Sequence, residues 1–312
     1  MNHKIVIPEF MDESAVQRLR NMGQVLYRPD LVEDRKALLH SLSNANALIV
    51  RNRTQVDHEL ITHAPDLKVI GRLGVGLDNI NMALCTEKGV TVYPALGANA
   101  RAVAEYVIAA ALLLLRQAYF SGGQVIKGKW PRTKLSQGLE ISNRTLGIIG
   151  FGDIGRLTAN LANGLGMQIL AYDPNLAQDS PVWRETRATR TELNDLLGTS
   201  DVVSLHIPLN DGTRHLINAH RLALMKTRAV LINTSRGGIV DEQALVEALV
   251  AGKLRGAALD VFEDEPVKAD NAFPDIPNLI LTPHIAGLTE ESNVRVSETI
   301  AEKVIGHLAA EL

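Results

Sequence analysis

The sequence predicts an α/β protein built on two doubly wound parallel sheets, the first domain interrupted by the second. Three observations predict it. Short β-rich runs alternate with amphipathic helical stretches from the start of the chain, the pattern of a parallel sheet covered by helices on both faces. The 312 residues are enough for about two domains with sizeable cores. Finally, a glycine fingerprint that ordinarily opens such a domain begins only at Gly150, so nearly half the chain precedes it and needs a fold of its own.

In the first half, strands are predicted at Lys4-Ile7, Gln24-Tyr27, Ala47-Val50, Lys68-Gly71 and Val90-Tyr93. Amphipathic helices are predicted between them at Glu13-Met22, Asp34-Ser43, Asp57-His63 and Asn81-Lys88. A long Ala- and Leu-rich helix, Ala100-Gln117, follows. The stretch from Ser121 to Gly138, with Trp130-Pro131, reads as an irregular arm or interface loop. Thr145-Ile149 then opens a second α/β series, with further strands at Gln168-Tyr172, Val202-His206, Val230-Asn233, Ala257-Val261 and Leu279-Thr282. One last helical pattern runs from Glu290 to the end. It has no sheet of its own, so it is expected to cross back and pack on the first domain.

Composition narrows the function classes. Hydrophobic residues make up 46% and charged residues 21%, as in an ordinary water-soluble domain. A formal net charge of -3 gives no broad attraction to nucleic acid or acidic membranes. The single cysteine, Cys85, cannot form an internal disulfide and fits a reducing, cytoplasmic setting; within a helix it reads as a packed thiol rather than a nucleophile. The longest apolar stretch, Val107-Leu115, falls well short of the ~20 residues needed to span a bilayer. Met1-Asn2-His3-Lys4 leads straight into a strand, with no signal-peptide pattern. No metal-ligand spacing is read.

The fingerprint is Gly150-Phe151-Gly152-Asp153-Ile154-Gly155. Gly150 permits the tight turn out of the strand, Gly152 lets backbone approach a pyrophosphate, and Gly155 lets the helix pack closely on the sheet. The N–H groups around Asp153 and Ile154 face that pyrophosphate. Asp173 ends the next strand and is placed to accept from ribose hydroxyls. Pro174 and Asn175 follow, with no cation to neutralise a 2′-phosphate, so NAD is expected rather than NADP.

Three more segments follow strands of this second series: Asn233-Thr234-Ser235-Arg236-Gly237, Asp260-Val261-Phe262-Glu263-Asp264-Glu265-Pro266 and Thr282-Pro283-His284. Ligands bind outside the carboxyl ends of such strands, so segments distant in sequence can converge. Together with the fingerprint, in this order, they make the chain resemble the D-isomer-specific 2-hydroxyacid dehydrogenase family over nearly its whole length. The resemblance implies two Rossmann/flavodoxin-like domains: a discontinuous substrate-binding domain (1–98 and 287–312) and an NAD-binding domain (99–286). It implies a homodimer, to which the apolar helix and the Trp130 loop would contribute. It further implies His284 as catalytic acid/base, Glu265 as its partner and Arg236 as the substrate-binding arginine. Asp260 would contact the nicotinamide carboxamide, and His206, Pro208 and Thr234 would lie on the cofactor side. Glu263 and Asp264 compete with Glu265 on sequence alone; only the resemblance selects Glu265.

The residue types suit the chemistry. Oxidising a secondary alcohol needs a base on the hydroxyl while hydride leaves the same carbon, and histidine can hold or release a proton near neutrality. A carboxylate beside it orients the ring and favours its charged form. An arginine can grip a carboxylate with two parallel hydrogen bonds. His3, His40, His58, His63, His215, His220 and His307 are read as structural.

Substrate choice is expected upstream. Arg72-Leu73-Gly74-Val75-Gly76 follows a strand, and its small residues expose backbone N–H groups at the start of the next helix; Val75 and Gly76 are the expected carboxylate contacts. Arg51 and Arg72 end neighbouring strands and suggest a second anionic group on the substrate, with Arg53 an alternative to Arg51. Leu48-Ile49-Val50-Arg51 and Gly71-Arg72 resemble phosphoglycerate dehydrogenases of the family. Glu9-Phe10-Met11-Asp12-Glu13 and Val50-Arg51-Asn52-Arg53-Thr54 resemble its sulfolactate branch. The segment Pro94-Ala95-Leu96-Gly97 departs from the family's usual Asn-x-Pro-Gly. Sulfolactate ranks first, 3-phosphoglycerate second and hydroxypyruvate or glyoxylate third. The alternative from another class is an NAD-sensing, corepressor-like binding protein on the same fold.

Overall fold

The computed structural model describes residues 3–269, 271, 273 and 278–310. The chain divides into two compact units, Met1–Asn99 with Leu288–Leu312, and Ala100–Gly287.

The first unit is a five-stranded, all-parallel sheet of β1 (His3–Ile7), β2 (Gly23–Tyr27), β3 (Ala47–Val50), β4 (Val69–Arg72) and β5 (Thr91–Pro94), in the order β2-β1-β3-β4-β5. The strands end within a residue or so of their predicted limits, because β3 and the first two residues of β4 are unbroken runs buried on both faces. One face packs Leu38, Leu48, Leu60 and Ile70 together with Cys85, whose thiol is pushed up in pKa by burial. The other face is closed by the final helix, Glu290–Ala309, as its missing sheet required. Its Val296, Ile300, Val304 and Leu308 pack with Ile5, Ile7 and Ile49, each stabilising the unit by about 1.5–3 kcal/mol. The helix starts where Thr289 accepts from the Ser292 N–H at 3.0 Å, with Glu290 and Glu291 favourably placed in its first turn. Gly71 is dictated by this packing: a Cβ there would sit 2.4 Å from Ile300 Cγ2.

The second unit holds seven parallel strands: β6 (Thr145–Ile149), β7 (Gln168–Tyr172), β8 (Ala188–Arg190), β9 (Val202–Leu205), β10 (Val230–Asn233), β11 (Gly256–Leu259) and β12 (Leu279–Leu281). Their order is β12-β11-β10-β9-β6-β7-β8, so the winding reverses beside β6, between β7 and β9. That is where open α/β sheets bind ligands, outside the carboxyl ends of the strands. The helix Ala100–Arg116 buries Val107, Ala110, Ala111 and Leu114 against Leu146, Ile148 and Ala159. Its C-terminal carbonyls of Leu114 and Leu115 accept from Arg255, at 3.2 and 2.9 Å, which satisfies groups the helix leaves unpaired.

Two features differ from the sequence expectation. The stretch after the long helix is not wholly irregular: it forms three short helical segments, Ala118–Ser121, Gly122–Ile126 and Arg132–Leu135, with Ile126 and Trp130 largely exposed. β8 has no counterpart in the expected strands, being three residues long with two of them exposed and polar, so no apolar pattern marks it. Among the described residues, no single helix is long and apolar enough to cross a membrane.

Candidate active site

The fingerprint sits at the carboxyl end of β6, and each glycine has a measurable reason. Gly150 has φ +92°, and a Cβ on it would lie 2.3 Å from the His206 carbonyl oxygen. Gly155 would clash with the Gly150 carbonyl oxygen at 2.3 Å, whereas a Cβ on Gly152 would meet nothing within 4 Å. The first and third glycines thus serve the protein's own packing, and the middle one leaves open space. Gly152 is also the N-cap of the helix Asp153–Gly164 and offers no capping side chain, so the N–H groups of Asp153 and Ile154 lie in a first turn still open to an anion. Asp153 itself is exposed and leans toward Arg156.

Asp173 follows β7 and ties the cradle together, accepting from Phe151 N–H at 2.8 Å and Asn175 N–H at 2.9 Å. A carboxylate has about four acceptor positions, so room remains for hydroxyl donors. His206 follows β9. Its backbone borders Gly150, and its Nε2 pairs with Ser204 Oγ at 2.9 Å. Burial of the ring pushes its pKa down to about 3, so it is a neutral element of the wall. Pro208 lies on the exposed continuation of that strand, its carbonyl accepting from Thr213 Oγ1 at 2.7 Å. Thr234 follows β10 with a buried Oγ1 that has no hydrogen-bond partner. An orphaned hydroxyl and an open glycine beyond the carboxyl ends of strands of one sheet fit a phosphate-bearing dinucleotide.

Arg236 rides on a turn that Asn233 builds. The Asn233 side chain accepts from Ser235 N–H at 3.0 Å and donates to the Arg236 carbonyl at 2.9 Å, while Ser235 Oγ donates to the Leu205 carbonyl at 2.5 Å. Gly237 must be glycine because a Cβ there would lie 1.8 Å from the Phe262 carbonyl oxygen. The Arg236 charge is felt at Glu265. Glu265 Oε2 is 2.8 Å from His284 Nδ1, and its Oε1 accepts from Phe262 N–H at 3.0 Å. Burial pushes the Glu265 pKa up, but the His284 hydrogen bond, the Phe262 N–H and the charges of His284 and Arg236 outweigh it, so the net shift is downward. Of the three acids on this loop, Glu265 is the one hydrogen-bonded to the His284 ring, and it feels the Arg236 charge.

Glu263, exposed on this loop, pairs with His215 Nε2 at 2.9 Å, and its N–H donates to Glu242 at 2.7 Å. Asp260, the residue expected to face a nicotinamide carboxamide, is 1% exposed and already receives three hydrogen bonds. Asp260 Oδ1 accepts from Thr282 Oγ1 at 2.6 Å and Ile285 N–H at 2.8 Å, and Oδ2 accepts from Ala286 N–H at 2.8 Å. It anchors the loop carrying His284, whose own N–H donates to the Asp260 and Thr282 carbonyls and whose φ is +55°. A histidine in that region is uncommon and needs such over-determination to persist.

In the first unit, Val50 and Arg72 are register partners, so Arg51 and Arg72 close neighbouring strand ends. Glu9, 5% exposed, accepts from the N–H groups of Arg51, Arg53 and Thr54 at 2.9–3.2 Å, and Asn79 donates to the Arg51 and Thr54 carbonyls. Sequence reading missed both residues because each acts on backbone far away in the chain. The Arg51 guanidinium lies 5.4 Å over the Phe10 ring, bonds Asn293 Oδ1 at 2.6 Å through Nη2, and keeps a buried Nε without a partner. Burial lowers its pKa, with Glu9 and Tyr27 opposing, yet guanidinium remains a cation. Arg53 turns away to an exposed ion pair with Glu33. Arg72 bonds the Leu73 carbonyl at 2.9 Å and lies across Gly74, where a Cβ would be 1.8 Å from its Nη1. Val75 is exposed and Gly76 half-buried. Among the described residues, no hydrogen bond uses either N–H. They do not begin a helix, however: the next one starts at Met82, capped by Asn81.

Comparison with known proteins decides the family. The profile described as "D-isomer specific 2-hydroxyacid dehydrogenase, NAD binding domain" matches residues 108–286. The chain belongs to the D-isomer-specific 2-hydroxyacid dehydrogenase family. It is an NAD-dependent oxidoreductase with the α/β two-domain fold of its relatives. It is 50% identical over 301 residues to an (S)-sulfolactate dehydrogenase of Chromohalobacter salexigens, covering 96% of each chain. It is 38% identical over 309 residues to a D-3-phosphoglycerate dehydrogenase of Methanocaldococcus jannaschii, covering 99% of this chain but spanning only 58% of that protein. Among crystal structures, a protein from Thermus thermophilus superposes with a TM-score of 0.88 at 31% identity, covering 98% of this chain and 97% of that one.

Proposed function

We propose that this protein oxidises and re-forms a small 2-hydroxy acid carrying a second anionic group, with sulfolactate the preferred substrate, 3-phosphoglycerate next, and hydroxypyruvate or glyoxylate third. The observation that carries the chemistry is the 2.8 Å pair of His284 and Glu265 with the Arg236 charge beside it. In oxidation, His284 accepts the substrate hydroxyl proton, Glu265 stabilises the imidazolium that results, and Arg236 holds the carboxylate and polarises the C–O bond. In reduction, the charged His284 returns the proton. NAD, when bound, supplies the acceptor for the hydrogen and electron pair leaving the substrate carbon. Gly150, Gly152, Gly155 and the N–H groups of Asp153 and Ile154 would hold its pyrophosphate, with His206, Pro208 and Thr234 along the cradle. Asp173 would take the ribose hydroxyls, and its charge disfavours a 2′-phosphate.

For the substrate, Arg51 supports the reading: a fixed cation with an unsatisfied buried Nε beside a second arginine at the next strand end. Two such cations suit a sulfonate or phosphate in addition to the carboxylate, for which the N–H groups of Val75 and Gly76 remain. The 50% identity to a sulfolactate dehydrogenase over 96% of the chain ranks sulfolactate first. The test is a rate screen following nicotinamide absorbance with sulfolactate, 3-phosphoglycerate, glycerate, lactate and malate. Sulfolactate is expected to give the highest kcat/KM; a leading rate on lactate or glycerate would contradict the dianion reading.

A further inference from the structure

We infer that Tyr106 is a positioning residue for His284, acting through Thr282 and Asp260. The inference rests on His284 being the acid/base of the proposed reaction.

Tyr106 projects from the helix Ala100–Arg116, between Val103 and Val107, which are both buried, so it stands on a rigid element. Its Oη is 2.6 Å from Thr282 Oγ1, and Thr282 Oγ1 is 2.6 Å from Asp260 Oδ1. Counting protons sets the direction. An ionised carboxylate only accepts, so the Thr282 proton goes to Asp260, and the Tyr106 proton must then go to Thr282. Burial raises the pKa of Tyr106, the Thr282 hydrogen bond opposes this and the Asp260 charge adds to it; the net rise keeps the phenol a donor. The chain Tyr106 to Thr282 to Asp260 therefore has one polarity, and its members strengthen one another.

The far end of this chain is the His284 loop. Asp260 takes Ile285 N–H and Ala286 N–H on one side of the histidine, and Thr282 stands on the other. The Asp260 and Thr282 carbonyls both accept from His284 N–H, at 2.8 and 3.0 Å. Tyr106 removes the choice Thr282 would otherwise have of rotating its hydroxyl away. The buried carboxylate then keeps its donors, and His284 keeps its left-handed backbone. Tyr106 touches none of the reacting groups; its effect is on where the imidazole sits.

The test compares Tyr106→Phe, Thr282→Ser, Thr282→Val, the Tyr106→Phe/Thr282→Val double variant and His284→Gln, assayed with sulfolactate and NAD. Tyr106→Phe should lower kcat by about tenfold, within what misplacing a reacting group costs, while KM for NAD stays within about twofold. Thr282→Ser should retain activity near wild type. Thr282→Val should lose about as much as Tyr106→Phe, and the double variant no more than Thr282→Val alone, because the groups act in series. A Tyr106→Phe enzyme with kcat within about twofold of wild type, or losses that multiply in the double variant, would overturn the inference. If His284→Gln abolishes turnover while Tyr106→Phe leaves kcat within about twofold of wild type, the inference alone falls. If His284→Gln stays active, the acid/base reading falls and takes this inference with it.

Discussion

The loop around His284 and the strand ends at Arg51 and Arg72 both carry charged side chains beyond a parallel sheet, yet they are built differently. His284 is fixed by backbone: its N–H is bonded twice, the two residues after it are tied to Asp260, and Glu265 meets its ring. Arg51 is fixed by side chains, a ring beneath it and an amide at its tip, with its buried Nε left without a partner. A proton-transfer group must be placed to a fraction of an ångström, which backbone can enforce. A charge that recognises a distal anion tolerates looser placement and can change its partner. On the proposed function, the chemistry is written in short motifs and the choice of acid in long-range neighbours.

Four substitutions sharpen this contrast. The largest effect is expected from His284→Gln: turnover should fall by about 10²–10⁴-fold on every acid tested, measured as kcat at saturating NAD. A loss confined to one substrate would move His284 from chemistry to recognition. Next, Asp173→Ala should weaken NAD by about 10–100-fold in a fluorescence titration, the worth of charge-assisted hydrogen bonds, with kcat at saturating NAD changed far less. Equal binding of NAD would remove Asp173 from the cofactor site. Glu265→Gln tests the ion pair by pH. The folded-state pKa of Glu265 lies below its ordinary value. Its stabilisation is therefore complete above the ordinary carboxylate range and lost as pH falls through the lower folded value. The Tm gap between wild type and Glu265→Gln should be widest near neutrality and close in acid; a gap independent of pH would argue against the pairing. The smallest effect is expected from Arg53→Ala. Its exposed pair with Glu33 is screened by solvent, and kcat/KM for dianions should not change beyond about twofold.

Much of this was legible in the sequence, for local reasons. Gly150 and Gly155 announce themselves because their clashes are with backbone a few residues or one strand away, and Gly152 completes the spacing. Arg236, Glu265 and His284 each follow a strand, so sheet topology alone gathers them. The final helix could be sent back to the first sheet because nothing else remained to cover its apolar stripe. Other features left no local trace. β8 is too short and polar to show a period. The anchoring role of Asp260 was hidden because its partners Thr282, Ile285 and Ala286 lie 22 to 26 residues away in the chain. Tyr106, Glu9 and Asn293 act on partners tens to hundreds of residues away, and a lone polar residue on a helix or loop carries no sign of that. Arg53 and Arg51 were indistinguishable until the backbone showed which one turned outward.

The contrast between the two regions is tested most directly by the ratio of kcat/KM for sulfolactate to that for lactate, in wild type and Arg51→Ala. A ratio well above one is expected in the wild type. In the variant it should fall by about 10–100-fold, the loss of one charge-assisted contact, with lactate turnover little changed. A ratio that Arg51→Ala leaves intact, or equal losses on both acids, would contradict the contrast.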